Sequence, residues 1–168
     1  MPIRLSDLKN TLPVNQTLVT LTRGEHELPL VVCSPTPGYW DKLRAVGLYE
    51  SLKPPTKPKK DSTGKYIKIN GQTVLEEDSN DPEYEAKLAV QYNRCRAMQF
   101  KDVLRTDTTI EFNPEPLTTD SSDVWKTYAD TLVEELADSG LTDQEITGII
   151  TAAQKLANSL NIDEALKN

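Results

Sequence analysis

Nine residues near the middle of the chain decide how it can fold. Residues 52–60 hold three prolines and four lysines. Proline's locked φ and missing amide donor exclude a helix interior or a central strand there. The stretch favours an extended, polyproline-like course, so the chain must be punctuated on either side of it. It divides into an N-terminal part (residues 1–49), a central linker (50–80) and a helical part (81–168). A length of 168 residues suits one ordinary domain or two small modules.

The N-terminal part reads as a β-hairpin followed by a short helix. Residues 17–22 alternate threonine with leucine and valine, the period of a half-buried strand. Residues 23–26 supply a turn and residues 27–33 a second strand, in which Pro29 suits an edge. A lone hairpin is marginal and needs a cover. The nearest is a helix carrying Tyr39, Trp40, Leu43 and Val46 and ending at Gly47, with Trp40 expected to seal the hairpin. Within the linker, Asn70 and Gly71 stand between two β-prone runs. That pair is the strongest short hairpin signal, because a type I′ turn needs positive φ at both central residues. A hairpin there suggests an insertion or an arm.

Beyond residue 80 the pattern turns helical. Asp81 is a good N-cap, with Pro82 at the first helical position, where its missing donor costs nothing. Tyr84, Leu88, Tyr92, Cys95, Gln99 and Val103 recur along one face of a helix running to about residue 105. Cys95 lies in that stripe as a small buried hydrophobe. Residues 106–119 are polar and contain Pro114 and Pro116. They read as a loop, or as a short strand joining the hairpin through Ile110 and Phe112. Two further helices follow. The first opens near residues 120–122 and closes at Gly140. The second starts at Thr142, where Thr142 and Glu145 form a capping box, and Gly148 within it suggests close helix approach. Residues 162–166 add a final turn. The fold class is therefore α+β: an N-terminal β-hairpin with a short helix, a long central helix and a C-terminal antiparallel helical hairpin.

The residues that build common active sites are scarce. There is one histidine (His26), there are two cysteines (Cys33 and Cys95) without C-x-x-C spacing, and there are seven glycines. No phosphate loop, nucleophile elbow or metal-ligand spacing occurs. The adjacent carboxylates Glu134 and Glu135, Asp143 and Glu145, and Glu76 to Asp78 fall on exposed faces, caps or loops, where nothing drives their pKa values apart. Asp78, Asn80 and Asp81 resemble part of a calcium loop that Pro82 breaks. The sequence thus predicts no catalytic residues, no metal and no cofactor. Net charge is −7 and uneven. Residues 1–110 carry 16 Lys and Arg against 14 Asp and Glu, whereas residues 111–168 carry 3 against 12. An acidic end of that kind repels phosphate backbones and argues against nucleic acid. The polar opening residues lack the apolar core of a signal peptide, and the longest apolar run, residues 30–33, is too short for a bilayer. The expectation is a soluble chain in a reducing compartment, acting through protein contacts.

The succession of elements resembles the tail assembly chaperones of long-tailed (siphovirus-like) bacteriophages. The resemblance lies in the β-prone start, the Pro/Lys-rich linker, the helix start at Asp81, Pro82, Glu83 and Tyr84 running through Tyr92, Asn93 and Arg94, and the acidic residues 137–145. It implies a non-enzymatic protein of the host cytoplasm. Such a protein binds the tape-measure protein, keeps its long apolar helices from aggregating, recruits tail-tube subunits and can self-associate. The Asn70–Gly71 hairpin departs from that family and leaves a second reading, a virion structural part such as a connector or minor tail component. Client binding by helix-in-groove contact needs apolar stripes. Trp125, Tyr128, Leu132, Ile146, Ile149 and Ile150 are the candidate partner-binding residues, with pairing of the two helices as the competing use.

Overall fold

A hairpin with a two-residue turn opens the computed structural model, which describes residues 15–158. β1 (Gln16–Arg23) pairs antiparallel with β2 (His26–Cys33). Gly24 takes the turn's first central position at φ 61, a conformation that only glycine adopts without strain. Thr17, Val19 and Leu21 face inward opposite Val32, Leu30 and Leu28. Leu30 and Val32 are buried. α1 (Tyr39–Ala45) follows.

The cover for this hairpin is not α1. Two helices far along the chain provide it: α2 (Pro82–Val103) and α4 (Asp143–Asn158), while α3 (Ser122–Asp138) lies on the other side of α2. One apolar cluster joins Tyr39, Leu43, Val46 and Leu48 to Cys95, Met98, Trp125 and Leu132. A second joins Leu30 and Val32 to Phe100, Val103, Leu104, Ile146, Ile149 and Ala153. The C-terminal half of α2 is the wall between them. Trp40, expected to seal the hairpin, is instead 43% exposed and meets Tyr49 edge to face at 5.5 Å. In so short a helix Tyr39 and Leu43 occupy the inward face, and Trp40 is rotated about 100° away from Tyr39.

Helix ends follow their local chemistry. The Asp81 carboxylate accepts the Tyr84 amide at 2.9 Å. Glu145 accepts the Thr142 amide and hydroxyl at 2.7 and 2.9 Å, while Thr142 Oγ1 accepts the Glu145 amide at 3.2 Å. The apolar stripe of α2 behaves differently from its sequence pattern. At about 100° per residue Leu88 and Tyr92 point between the directions of Cys95 and Val103, so burial divides along the helix, whose C-terminal half alone is packed between the two clusters. Cys95, Met98 and Val103 are buried, but Leu88 and Tyr92 are exposed. α3 and α4 form the C-terminal helix pair, joined where Gly140 sits at φ 71. Their main packing runs to α2, and for α4 also to the hairpin, rather than to each other. Gly148 closes no helix contact, since a Cβ there would meet open space. The turn expected at residues 162–166 lies outside the described residues.

Residues 106–119 add no strand. Asp107 covers the free edge of β2 with its side chain, accepting the Val31 amide at 2.6 Å. Asp102, also buried, accepts the Thr36 amide at 2.8 Å and ties the β2–α1 connection to the end of α2.

The linker folds into a small module of its own. β3 (Thr56–Pro58) pairs with β6 (Leu75–Glu77), and β4 (Lys68–Ile69) pairs with β5 (Gln72–Thr73) across Asn70 and Gly71, both at positive φ as a type I′ turn requires. The ladders meet at three residues. The Lys59 amide donates to the Val74 carbonyl at 2.8 Å, the Val74 amide to the Ile67 carbonyl at 3.0 Å, and the Ile67 amide to the Lys59 carbonyl at 3.0 Å. This closed ring, with the Lys60–Tyr66 bridge, makes a three-way junction whose amides are satisfied internally. The Asp78 amide donates to the Pro55 carbonyl at 2.7 Å, so the module leaves and rejoins the body at one place. Replacing residues 56–77 by two glycines is therefore expected to lower Tm by no more than about 4 °C, since about 1 kcal/mol corresponds to 2–4 °C at this size. A larger loss in a thermal melt would mean that the module braces the helices.

Candidate functional site

The six candidate partner-binding residues are placed mainly inside the fold. Trp125 and Ile149 are fully buried, Leu132, Ile146 and Ile150 are buried within the two clusters, and only Tyr128 is half-exposed. The Trp125 indole donates to the Leu117 carbonyl at 3.1 Å, which holds the 106–119 connection against α3. The stripe is thus used for packing on α2 and the hairpin.

Tyr128 belongs to the densest titratable cluster. Its hydroxyl donates to the Asn113 carbonyl at 2.7 Å and accepts from Lys101 at 2.6 Å. Lys101 and Lys42 both pair with Glu115, and Lys42 lies 5.4 Å from the centre of the Trp125 ring, a cation–π distance. Burial pushes the Glu115 carboxyl up, but the two lysines outweigh it and hold the group below the ordinary carboxylate range. Burial, aided by Glu115, pushes the Tyr128 phenol up to about 12. Every charge here has a partner, so the cluster straps the 106–119 connection across α1, α2 and α3. A phenol kept protonated and a carboxylate kept ionised by two ammonium groups are poor proton shuttles near neutrality.

Other ionic ties are of the same kind. Arg94 makes two bonds to Asp130, 2.6 and 2.7 Å, linking α2 to α3. Arg96 reaches Asp143 and Thr147 at the start of α4. Arg23 at the end of β1 bonds both Glu145 oxygens and the Gly140 carbonyl. Its guanidinium, with the Thr142 donors, holds the Glu145 carboxyl down to about 2. The Cys95 thiol is pushed up by burial and lies 3.5 Å from the Leu48 carbonyl, unlike an activated nucleophile. Among the described residues, no group of three or more His, Cys, Asp or Glu is placed to hold a metal ion, and no helix is long and apolar enough to cross a membrane.

One of several clefts among the described residues is open and largely apolar, with a volume of about 320 Å³, at the lower end of ligand-pocket sizes. It lies where the hairpin, the 110–112 segment, α2 and the α3–α4 joint converge. Leu28, Phe100, Ile110, Phe112, Leu136 and Leu141 supply most of its apolar wall. Leu28 is 49% exposed, and Ile110, Phe112, Leu136 and Leu141 are half-buried. Glu111 and Glu135 also line it. Sequence reasoning missed this place because a gap between four elements has no local pattern. Two partial signals existed: Ile110 and Phe112 alternate within an otherwise polar connection, and the last turn of α3 is acidic. Comparison with protein-family models, with curated proteins and with solved structures finds no match for this chain.

Proposed function

We propose that this protein is a non-enzymatic phage tail assembly chaperone, which binds apolar helices of the tape-measure protein in the host cytoplasm and helps recruit tail-tube subunits. The observation that carries the reading is the apolar cleft. Half-buried leucines, an isoleucine and a phenylalanine line a groove that the described residues leave unfilled, which is the requirement for holding an apolar helix side by side. The paired state of the titratable clusters fits a binding role better than a catalytic one. The acidic C-terminal helices suit a soluble complex with a mixed or basic client. In the alternative role, a connector or minor tail component, the linker arm would pair strand to strand with neighbouring subunits. The ring of hydrogen bonds at Lys59, Ile67 and Val74 uses those amides internally and gives that alternative no added support.

The test is co-expression with the tape-measure protein of the same tail. A chaperone is expected to move that protein from the pellet to the soluble fraction. Quantitative mass spectrometry is expected to find the chaperone abundant in infected-cell lysate and absent from purified particles. Unchanged client solubility, or a fixed copy number per particle, overturns the reading.

A further inference from the structure

The rim of the cleft is acidic. A helix C-terminus carries partial negative charge and favours lysine or arginine in its last turn. The last turn of α3 holds no basic residue and ends in Glu134, Glu135 and Asp138; the one cation on its end is Arg23 of β1, which donates to the Gly140 carbonyl at 2.7 Å and is already paired with Glu145. Several nearby acids are neutralised: Asp130 by Arg94, Asp143 by Arg96 and Glu145 by Arg23. Among the described residues, Glu111 and Glu135 pair with no cation. Glu135 accepts only the Asn113 side-chain amide at 2.9 Å. Two carboxylates without a cation therefore sit on the border of an apolar groove.

We infer that the cleft docks an amphipathic helix whose apolar anchors are flanked by lysine or arginine. This rests on the chaperone reading and specifies the client's chemistry. The apolar anchors enter between Leu28, Phe112, Leu136 and Leu141. The basic flanks meet Glu111 and Glu135, the two rim carboxylates without a cation. An apolar helix with acidic flanks is rejected by like-charge repulsion at the same rim.

Titration of the full, isotopically labelled chain with a synthetic helical peptide of about five turns, leucine on one face and lysine on its flanks, tests the inference. The same peptide with glutamate for lysine is the control. The expected result is amide shifts centred on Leu28, Glu111, Leu136 and Leu141, with the glutamate peptide at least about tenfold weaker. Binding should weaken as salt rises from about 50 to about 500 mM. Leu28→Lys, at an exposed position, should abolish it. The double change Glu111→Gln and Glu135→Gln should cost about threefold to tenfold. Shifts centred elsewhere, equal binding of the two peptides, or Leu28→Lys binding as well as the parent each overturn the inference. Client rescue separates the two levels. If Leu28→Lys rescues tape-measure solubility as the parent does, the cleft falls and the chaperone stands. If the parent chain rescues nothing, the chaperone falls whatever the peptides do.

Discussion

Trp125→Ala is expected to lower stability by about 3–5 kcal/mol, the range for deleting a fully buried large aromatic side chain. The indole is completely enclosed, packs edge to face against Tyr128 at 6.3 Å and donates to the Leu117 carbonyl. Truncation removes that apolar contact, opens a cavity between α1, α2 and α3, and takes the hydrogen bond from the 106–119 connection. Native domains have only about 5–15 kcal/mol in total, so the variant should sit close to unfolding at physiological temperature. Urea denaturation measures it as a lowered midpoint with an unchanged slope. Trp40→Ala supplies the contrast. That ring is 43% exposed, and its loss should cost about 1 kcal/mol or less. The two tryptophans thus separate core from surface in one experiment. If Trp125→Ala keeps its midpoint and loses client binding instead, Trp125 belongs to an interface and the packing described above is wrong.

What was legible in the sequence follows from how far each feature reaches along the chain. Asp81 capping Tyr84, Thr142 capping Glu145, and Asn70 with Gly71 at positive φ are each completed within four residues. Their chemistry is local, and so the boundaries of α2, α4 and the linker hairpin could be read directly. The cover of the hairpin could not. α1 is the nearest helix, but its seven residues bury Tyr39 and Leu43 against α2 and α3. The inward face of β1 and β2 needs the longer stripe of Ile146, Ile149, Ile150 and Ala153. Which of two apolar surfaces wins such a place depends on area and shape across the whole chain, and periodicity carries neither.

The same distinction explains the site. A stripe of Trp125, Leu132, Ile146 and Ile149 reads identically whether it faces a client or its own core, because burial is a property of neighbours. Acids in the last turn of a helix cost a few tenths of a kcal/mol or more against its dipole, and in α3 no lysine or arginine in that turn offsets them. The linker module shows the reverse case. Its proline and lysine content pointed to an open polypeptide, yet Asp61 closes one loop by accepting from Thr63 and Lys65, and the ring at Lys59, Ile67 and Val74 satisfies the junction. Hydrogen bonds between separated strands, invisible to composition, order the segment.

Asp107→Ala is expected to cost about 3 kcal/mol and to change how the protein responds to acid. Asp107 is 7% exposed. One oxygen accepts the Val31 amide at 2.6 Å, and the other accepts the Thr109 amide and hydroxyl. Hydrogen bonds to a charged acceptor contribute about 1.5–3 kcal/mol, and the donors left behind add a desolvation cost of about 1–3 kcal/mol where no water replaces the carboxylate. The Val31 amide lies on the outer edge of β2, so losing its acceptor also reopens a strand edge. Burial pushes the Asp107 carboxyl up, but the hydrogen bonds from Thr109, Val31 and Ile110 outweigh it and hold the group below the ordinary carboxylate range. A carboxyl whose folded pKa lies below its unfolded value, about 3.9, stabilises the fold fully at pH values above that unfolded value. The contribution disappears as pH falls through the folded value. Parent and variant should therefore differ by a constant amount from neutrality down to about pH 5 and converge at lower pH. Other carboxylates held low, Glu115 and Glu145 among them, titrate in both proteins and cancel in the difference. Asp107→Asn, which keeps an acceptor but no charge, should fall between the two at neutral pH. Denaturant midpoints measured across the acid range decide the point: a difference that persists unchanged into strong acid would mean that shape, rather than the ionised acceptor at the edge of β2, is what Asp107 supplies.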